Sequence, residues 1–145
     1  MKGDVVPDAD HVTRLCGGSH VREDGTIAAT AFKPRPGEAY LSVNWLEALG
    51  LTGRGSELAE VRRVLATKRK VGGAARLAIL NVGQARHVVR QESSARLELA
   101  FRHEPEVGTG RPHDHSHSGI YGVPEDDVLV PELLASVVLK VAEAR

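Results

Sequence analysis

The residues best placed to do chemistry lie in one stretch, Arg111 to Gly122, which reads RPHDHSHSGIYG. It carries three of the chain's seven histidines, His113, His115 and His117, at alternate positions. In extended backbone, residues two apart share a side, so all three rings can face one point. Neutral imidazole is the commonest ligand for zinc and similar divalent metals, and a catalytic zinc takes three protein ligands and a water. Asp114 or His103 can add a carboxylate or another nitrogen. The chemistry implied is metal-dependent hydrolysis with the bound water as nucleophile. Against it, Gly108, Gly110 and Pro112 suit a loop in which the imidazoles are merely solvated, and no His-Glu-x-x-His pattern occurs anywhere. A tight turn at Ser-His-Ser-Gly would instead set His117 on a backbone group. A solvated loop is the expectation, with the metal site as its rival.

A second candidate is basic. Between Arg54 and Arg76 the chain places Arg54, Arg62, Arg63, Lys68, Arg69, Lys70 and Arg76 against Glu57 and Glu60, an excess of five positive charges. Nucleic-acid phosphates or another anion need such clustering, and a helix N-terminus behind Gly53-Arg54-Gly55-Ser56 would offer free N–H donors. The plainer alternative is a solvated helix face with charges matched to the helix dipole. No helix-turn-helix, RNA-recognition or zinc-finger pattern accompanies these residues. Cys16, near His20, is expected to be a small buried side chain rather than a nucleophile. No Gly-x-Ser-x-Gly elbow, second His-x-Thr half-motif or Gly-x-Gly-x-x-Gly fingerprint is present.

These residues must be positioned by secondary structure. Asp10–Cys16 and Thr26–Phe32 are expected strands, the second stopped by Pro34, Pro36 and Gly37. Tyr40–Leu46 alternates, with Leu41, Val43 and Trp45 on one side and Ser42 and Asn44 on the other. Ser56 can cap a helix over Glu57–Lys70, with Leu58, Val61, Val64 and Leu65 as its buried face and Gly72-Gly73 as its stop. Arg76–Leu80 is apolar on both sides, as an interior strand is. Asn81 can cap a short helix, Val82–Gln91. Ala95–His103 alternates again, and Ile120-Tyr121 suggests a short strand. A last helix is expected after Asp127, with Pro131 in its first turn and Leu134, Val137, Val138 and Val141 buried. The resulting β-β-β-α-β-α-β-(β)-α order favours an α+β fold: a single mostly antiparallel sheet with about three helices packed on one face. A small α/β arrangement is the alternative.

The totals set the frame. A chain of 145 residues suits a single domain, 1–145, with a true core. Nineteen Lys+Arg against nineteen Asp+Glu leave no net charge, so a polyanionic partner would need a local patch. Aromatics are 3%, which disfavours base-stacking platforms. A single cysteine excludes a disulfide framework and fits a reducing cytoplasm. No apolar run approaches the ~20 residues of a membrane span, and the first residues lack a signal-peptide pattern. The segments DHVTRLC, AFKPRPGEAYLSVNWLE and HSHSGIYGVPEDD resemble those of a group of small uncharacterised bacterial proteins. That resemblance implies a bacterial, cytoplasmic protein and transfers no activity. The leading expectation is a binding or accessory protein acting through a protein or nucleic-acid partner. The alternatives are the metal-dependent hydrolase and a nucleic-acid-binding protein using the basic helix 54–76.

Overall fold

A computed structural model describes residues 1–108, 110 and 113–145. Arg111 and Pro112, the first two residues of the histidine stretch, lie outside the described residues, as does Thr109. The chain forms β1 (His11–Cys16), β2 (Leu41–Trp45), α1 (Arg54–Lys68), β3 (Arg76–Asn81), α2 (Val82–Glu92), β4 (Ala100–His103), β5 (His117–Tyr121), α3 (Leu129–Ser136) and β6 (Lys140–Glu143). The strands make one six-stranded sheet in the order β4-β5-β2-β1-β3-β6, every pairing antiparallel. This is the expected α+β fold.

The helices lie on both faces of the sheet rather than on one. Leu77 and Ile79 of β3 point toward Leu58, Val61 and Leu65 of α1. Ala78 and Leu80 point the other way, toward Val82, Ala85 and Val89 of α2 and Val130 and Leu134 of α3. Cores on both faces are the physical consequence of a strand that is apolar at four consecutive positions. Successive side chains alternate sides, so each face needs a cover. Val12 and Cys16 join Leu41, Val43, Phe101 and Ile120 on the α2/α3 side, while Leu15 lies with α1.

Several boundaries differ from expectation for identifiable reasons. Helix α1 starts at Arg54, and Gly53 is its N-cap at φ 90°, a conformation open chiefly to glycine. Ser56 therefore falls inside the first turn. Thr26–Phe32 is not a strand: Ile27 makes one bridge to Val21, and Ala29–Phe32 then forms a 3-10 turn that buries Ala31 and Phe32. Packing of Phe32 outweighs the strand propensity of the threonines and isoleucine. The strand expected over Ala95–His103 is confined to Ala100–His103, after a turn with Arg96 at φ 48° and Ser93 Oγ accepting from the Leu97 N–H. The last helix stops at Ser136, and Val141 belongs to edge strand β6, opposite Ala78. Consecutive β-branched valines at 137 and 138 favour leaving the helix there. Asn81 caps α2 as expected, its Oδ1 accepting from the Gln84 N–H at 2.8 Å. Asp127 Oδ1 accepts from the Leu129 N–H at 2.9 Å, and Pro131 sits in the first turn of α3.

Two features place the site. The β1–β2 ladder pairs only Val12 with Trp45 and Thr13 with Asn44, and Arg14 then fills the opening. Its guanidinium donates to the carbonyls of Ser42 and Ala31, both at 2.7 Å. On the α1 side of the sheet, hydrophobic cover reaches β1, β3 and β6. Over β2 and β5 that same face is polar, with Asn44 opposite His117.

Candidate functional site

The histidine stretch is organised by its aspartate. Glu106 and Asp114 exchange backbone hydrogen bonds of 2.9 and 2.8 Å, closing the base of the intervening loop. A turn at His115-Ser116 then leads into β5 and breaks the alternation that would have aligned three rings. His113 and His115 are exposed, with ring centres 5.9 Å apart and planes at 85°. His117 is buried, its Nδ1 donating to the Glu104 carbonyl at 2.8 Å and its ring edge-on to Tyr40. The structure thus brings two of the histidines together and holds the third apart. His103 is set on the turn itself, its Nε2 donating to the His115 carbonyl at 2.6 Å and its ring against Trp45. Among the described residues no group of three or more His, Cys, Asp or Glu is placed to hold a metal.

Asp114 is 1% exposed and faces inward, into a network that sequence reasoning missed. Its carboxylate accepts from Lys68 Nζ, from Asn44 Nδ2 at 2.9 and 3.1 Å, and from Ser116 Oγ at 3.3 Å. Lys68 also donates to Glu106, so one ammonium clamps the two carboxylates that flank the loop base. Asn44 reaches Ser116 Oγ at 2.8 Å as well. Thr13, beside Asn44 in the sheet, carries the only buried side-chain N or O atom without a partner among the described residues. The one sequence signal for this network was the polar side of β2, where Asn44 alternates with apolar residues. Beyond it, Tyr121 donates to Glu104 Oε2 at 2.5 Å, and burial together with that carboxylate pushes the phenol up to about 12. Tyr121 therefore remains a donor throughout the neutral range.

The basic residues divide by helix face. On α1, Arg54 and Lys68 lie toward β2. Arg54 pairs with Glu57 at 2.8 Å and with Glu47 at 3.7 Å, and Lys68 is committed to the buried clamp. Arg76 is turned back onto the carbonyls of Gly73 and Ala75. Arg62 and Arg63 lie on the other flank, and with Arg69 and Lys70 just past the helix end and Arg145 they line a groove of about 440 Å³. Ala59, Ala66, Val71 and Ala144 provide its small apolar lining. Arg62 Nε donates to the Glu143 carbonyl at 2.7 Å, fastening the helix to the edge strand, and Arg63 pairs with Glu60 at 2.5 Å. The groove is open, cationic and low in aromatic surface.

Two further groups bear on chemistry. Burial pushes the Cys16 thiol up to about 11, so little thiolate is available near neutrality. Glu47 accepts from both the His11 backbone N–H and the His11 ring Nδ1, each at 2.7 Å, which orients that half-buried imidazole.

No protein-family model matches the chain, and no curated protein or solved structure matches it either. No helix among the described residues is long and apolar enough to cross a membrane.

Proposed function

We propose that this protein is a binding protein for nucleic acid and that the groove along α1 receives the sugar-phosphate backbone. The observation that carries the reading is the convergence of Arg62, Arg63, Arg69, Lys70 and Arg145 on one open groove of an otherwise neutral chain. Local concentration of cations supplies affinity through counterion release, without any requirement for base contacts. Low aromatic content argues for recognition of backbone rather than of stacked bases. A bacterial cytoplasmic setting belongs to the same proposal, supported by the sequence resemblance and by the free, buried Cys16.

The test is salt dependence. With Arg62 engaged on the Glu143 carbonyl, contacts from the other four cations should give a slope of log K against log salt of about −3 to −4. In the triple variant R63Q/R69Q/K70Q the slope should shrink by roughly 2–3 for the contacts removed. Variant K68M, which alters the buried clamp and not the groove, should keep the full slope wherever it folds. Binding to DNA and RNA probes that is absent, or indifferent to salt, would reject the proposal. So would association with an acidic protein but with neither nucleic acid.

A further inference from the structure

We propose that His113 and His115 form a two-imidazole site for a nitrogen-preferring first-row divalent cation such as Zn2+, Ni2+ or Cu2+. Water would complete the coordination, and His117 would take no part. The site uses none of the groove residues and is independent of the nucleic-acid proposal.

The geometry is the first support. An ion about 2.0–2.1 Å from a nitrogen of each ring would lie roughly 3.2 Å from each ring centre, so two rings sharing it stand at most about 6.4 Å apart. The observed separation is 5.9 Å. A tetrahedral angle would bring the centres to about 5.2 Å, a closure of under about 1 Å that exposed side chains can make by small rotations.

Preorganisation is the second support. The residue between the two histidines is pinned: the Asp114 side chain is held by Lys68 and Asn44, and its backbone is paired with Glu106. His103 fixes the carbonyl of His115. The backbone that carries both rings is therefore held at three points while the rings themselves face solvent. Fixing the ligands before the ion arrives reduces the ordering entropy that binding must overcome. Asp114 is spent on the clamp, and His117 bonds the Glu104 carbonyl inside the structure. Imidazole ligands select Zn2+, Ni2+ and Cu2+, whereas Mg2+ and Ca2+ prefer oxygen.

The experiment is titration calorimetry of tag-free protein with each chloride salt, alongside histidine ring proton NMR. One Zn2+, Ni2+ or Cu2+ per chain is expected, Cu2+ tighter than Ni2+, with no uptake of Mg2+. Variants H113A and H115A, both at exposed positions, should each weaken binding at least about tenfold, and H87A should not. Added Cu2+ should broaden the ring signals of His113 and His115 before those of His87 and His117. No uptake of any of the three ions would overturn the proposal. Uptake undiminished in H113A and H115A, or selective broadening of His117, would overturn it equally.

Discussion

Lys68 shows how much a single residue's role depends on what lies across from it. In the chain it is one of seven cations in a basic segment. In the fold it is the counter-ion of Asp114 and Glu106, with Asp114 almost wholly removed from solvent. Removing one partner of a buried pair leaves the other charge uncompensated, so K68M is expected to lose about 3–5 kcal/mol in urea denaturation. Neutralising the exposed Arg63, whose pair with Glu60 is screened, should change stability by less than about 1 kcal/mol. Equal losses in the two variants would show that the clamp does not carry the loop base. Glu47 makes a second argument at this scale. Burial pushes its carboxyl up, but the hydrogen bonds from His11 outweigh burial and hold it below the usual range. A lowered folded pKa stabilises the protein above the unfolded value, about 4.3, and that stability disappears as pH falls through the folded value. Wild type should therefore denature at higher urea than E47Q near neutrality, with the gap closing in acid below the ordinary carboxylate range. A gap that widened on acidification would contradict the assignment. Such pairings were not legible in the sequence. Alternation told which side of β2 carries Asn44, but not that Asp114, seventy residues away, would meet it there.

Elements were easier to read where local signals and tertiary packing agree. The apolar run at Leu77–Leu80, the helical spacing of Leu58, Val61 and Leu65 in α1 and the asparagine before α2 each specify the same structure at both levels. Where one level must yield, packing decided. The Thr26–Phe32 segment gave up strand pairing to bury Phe32, and the chain left the last helix at Ser136, so that Val141 entered edge strand β6 instead. Asn81 permits a test at this scale because it does two things. Its Oδ1 caps α2, and its Nδ2 donates to the carbonyls of Asp8 at 3.0 Å and Asp10 at 3.2 Å. N81A should cost about 1–2 kcal/mol, within the range for loss of an N-cap. N81D, which keeps the accepting oxygen and loses the donor, should fall between N81A and wild type in urea midpoint. If N81D were no better than N81A, the link to the Asp8–Asp10 segment would outweigh the cap.

Across the whole molecule, the two faces of the sheet are put to different uses. The α2/α3 face is closed by hydrophobic packing that includes Phe32 and Phe101, while the α1 face is part core, part polar network and part cationic flank. A net charge of zero conceals this arrangement, because the groove's excess is balanced by carboxylates elsewhere on the chain. Sequence counting found the excess between Arg54 and Arg76. It could not divide Arg62, Arg63, Arg69 and Lys70 from Arg54, Lys68 and Arg76, since that division depends on which flank of α1 meets β6. It also had no means of adding Arg145, which reaches the groove only because β6 returns beside the helix. The division has a thermodynamic consequence. A polyanion that binds the folded groove and not the unfolded chain stabilises by mass action, by about 2.7 kcal/mol at a hundredfold excess over Kd. At low salt, oligonucleotide should therefore raise the melting temperature of the wild type and of K68M alike, each from its own baseline. It should leave R63Q/R69Q/K70Q nearly unmoved, and added salt should erase the difference as counterions compete. A similar rise in all three proteins would place the binding surface somewhere other than the flank of α1.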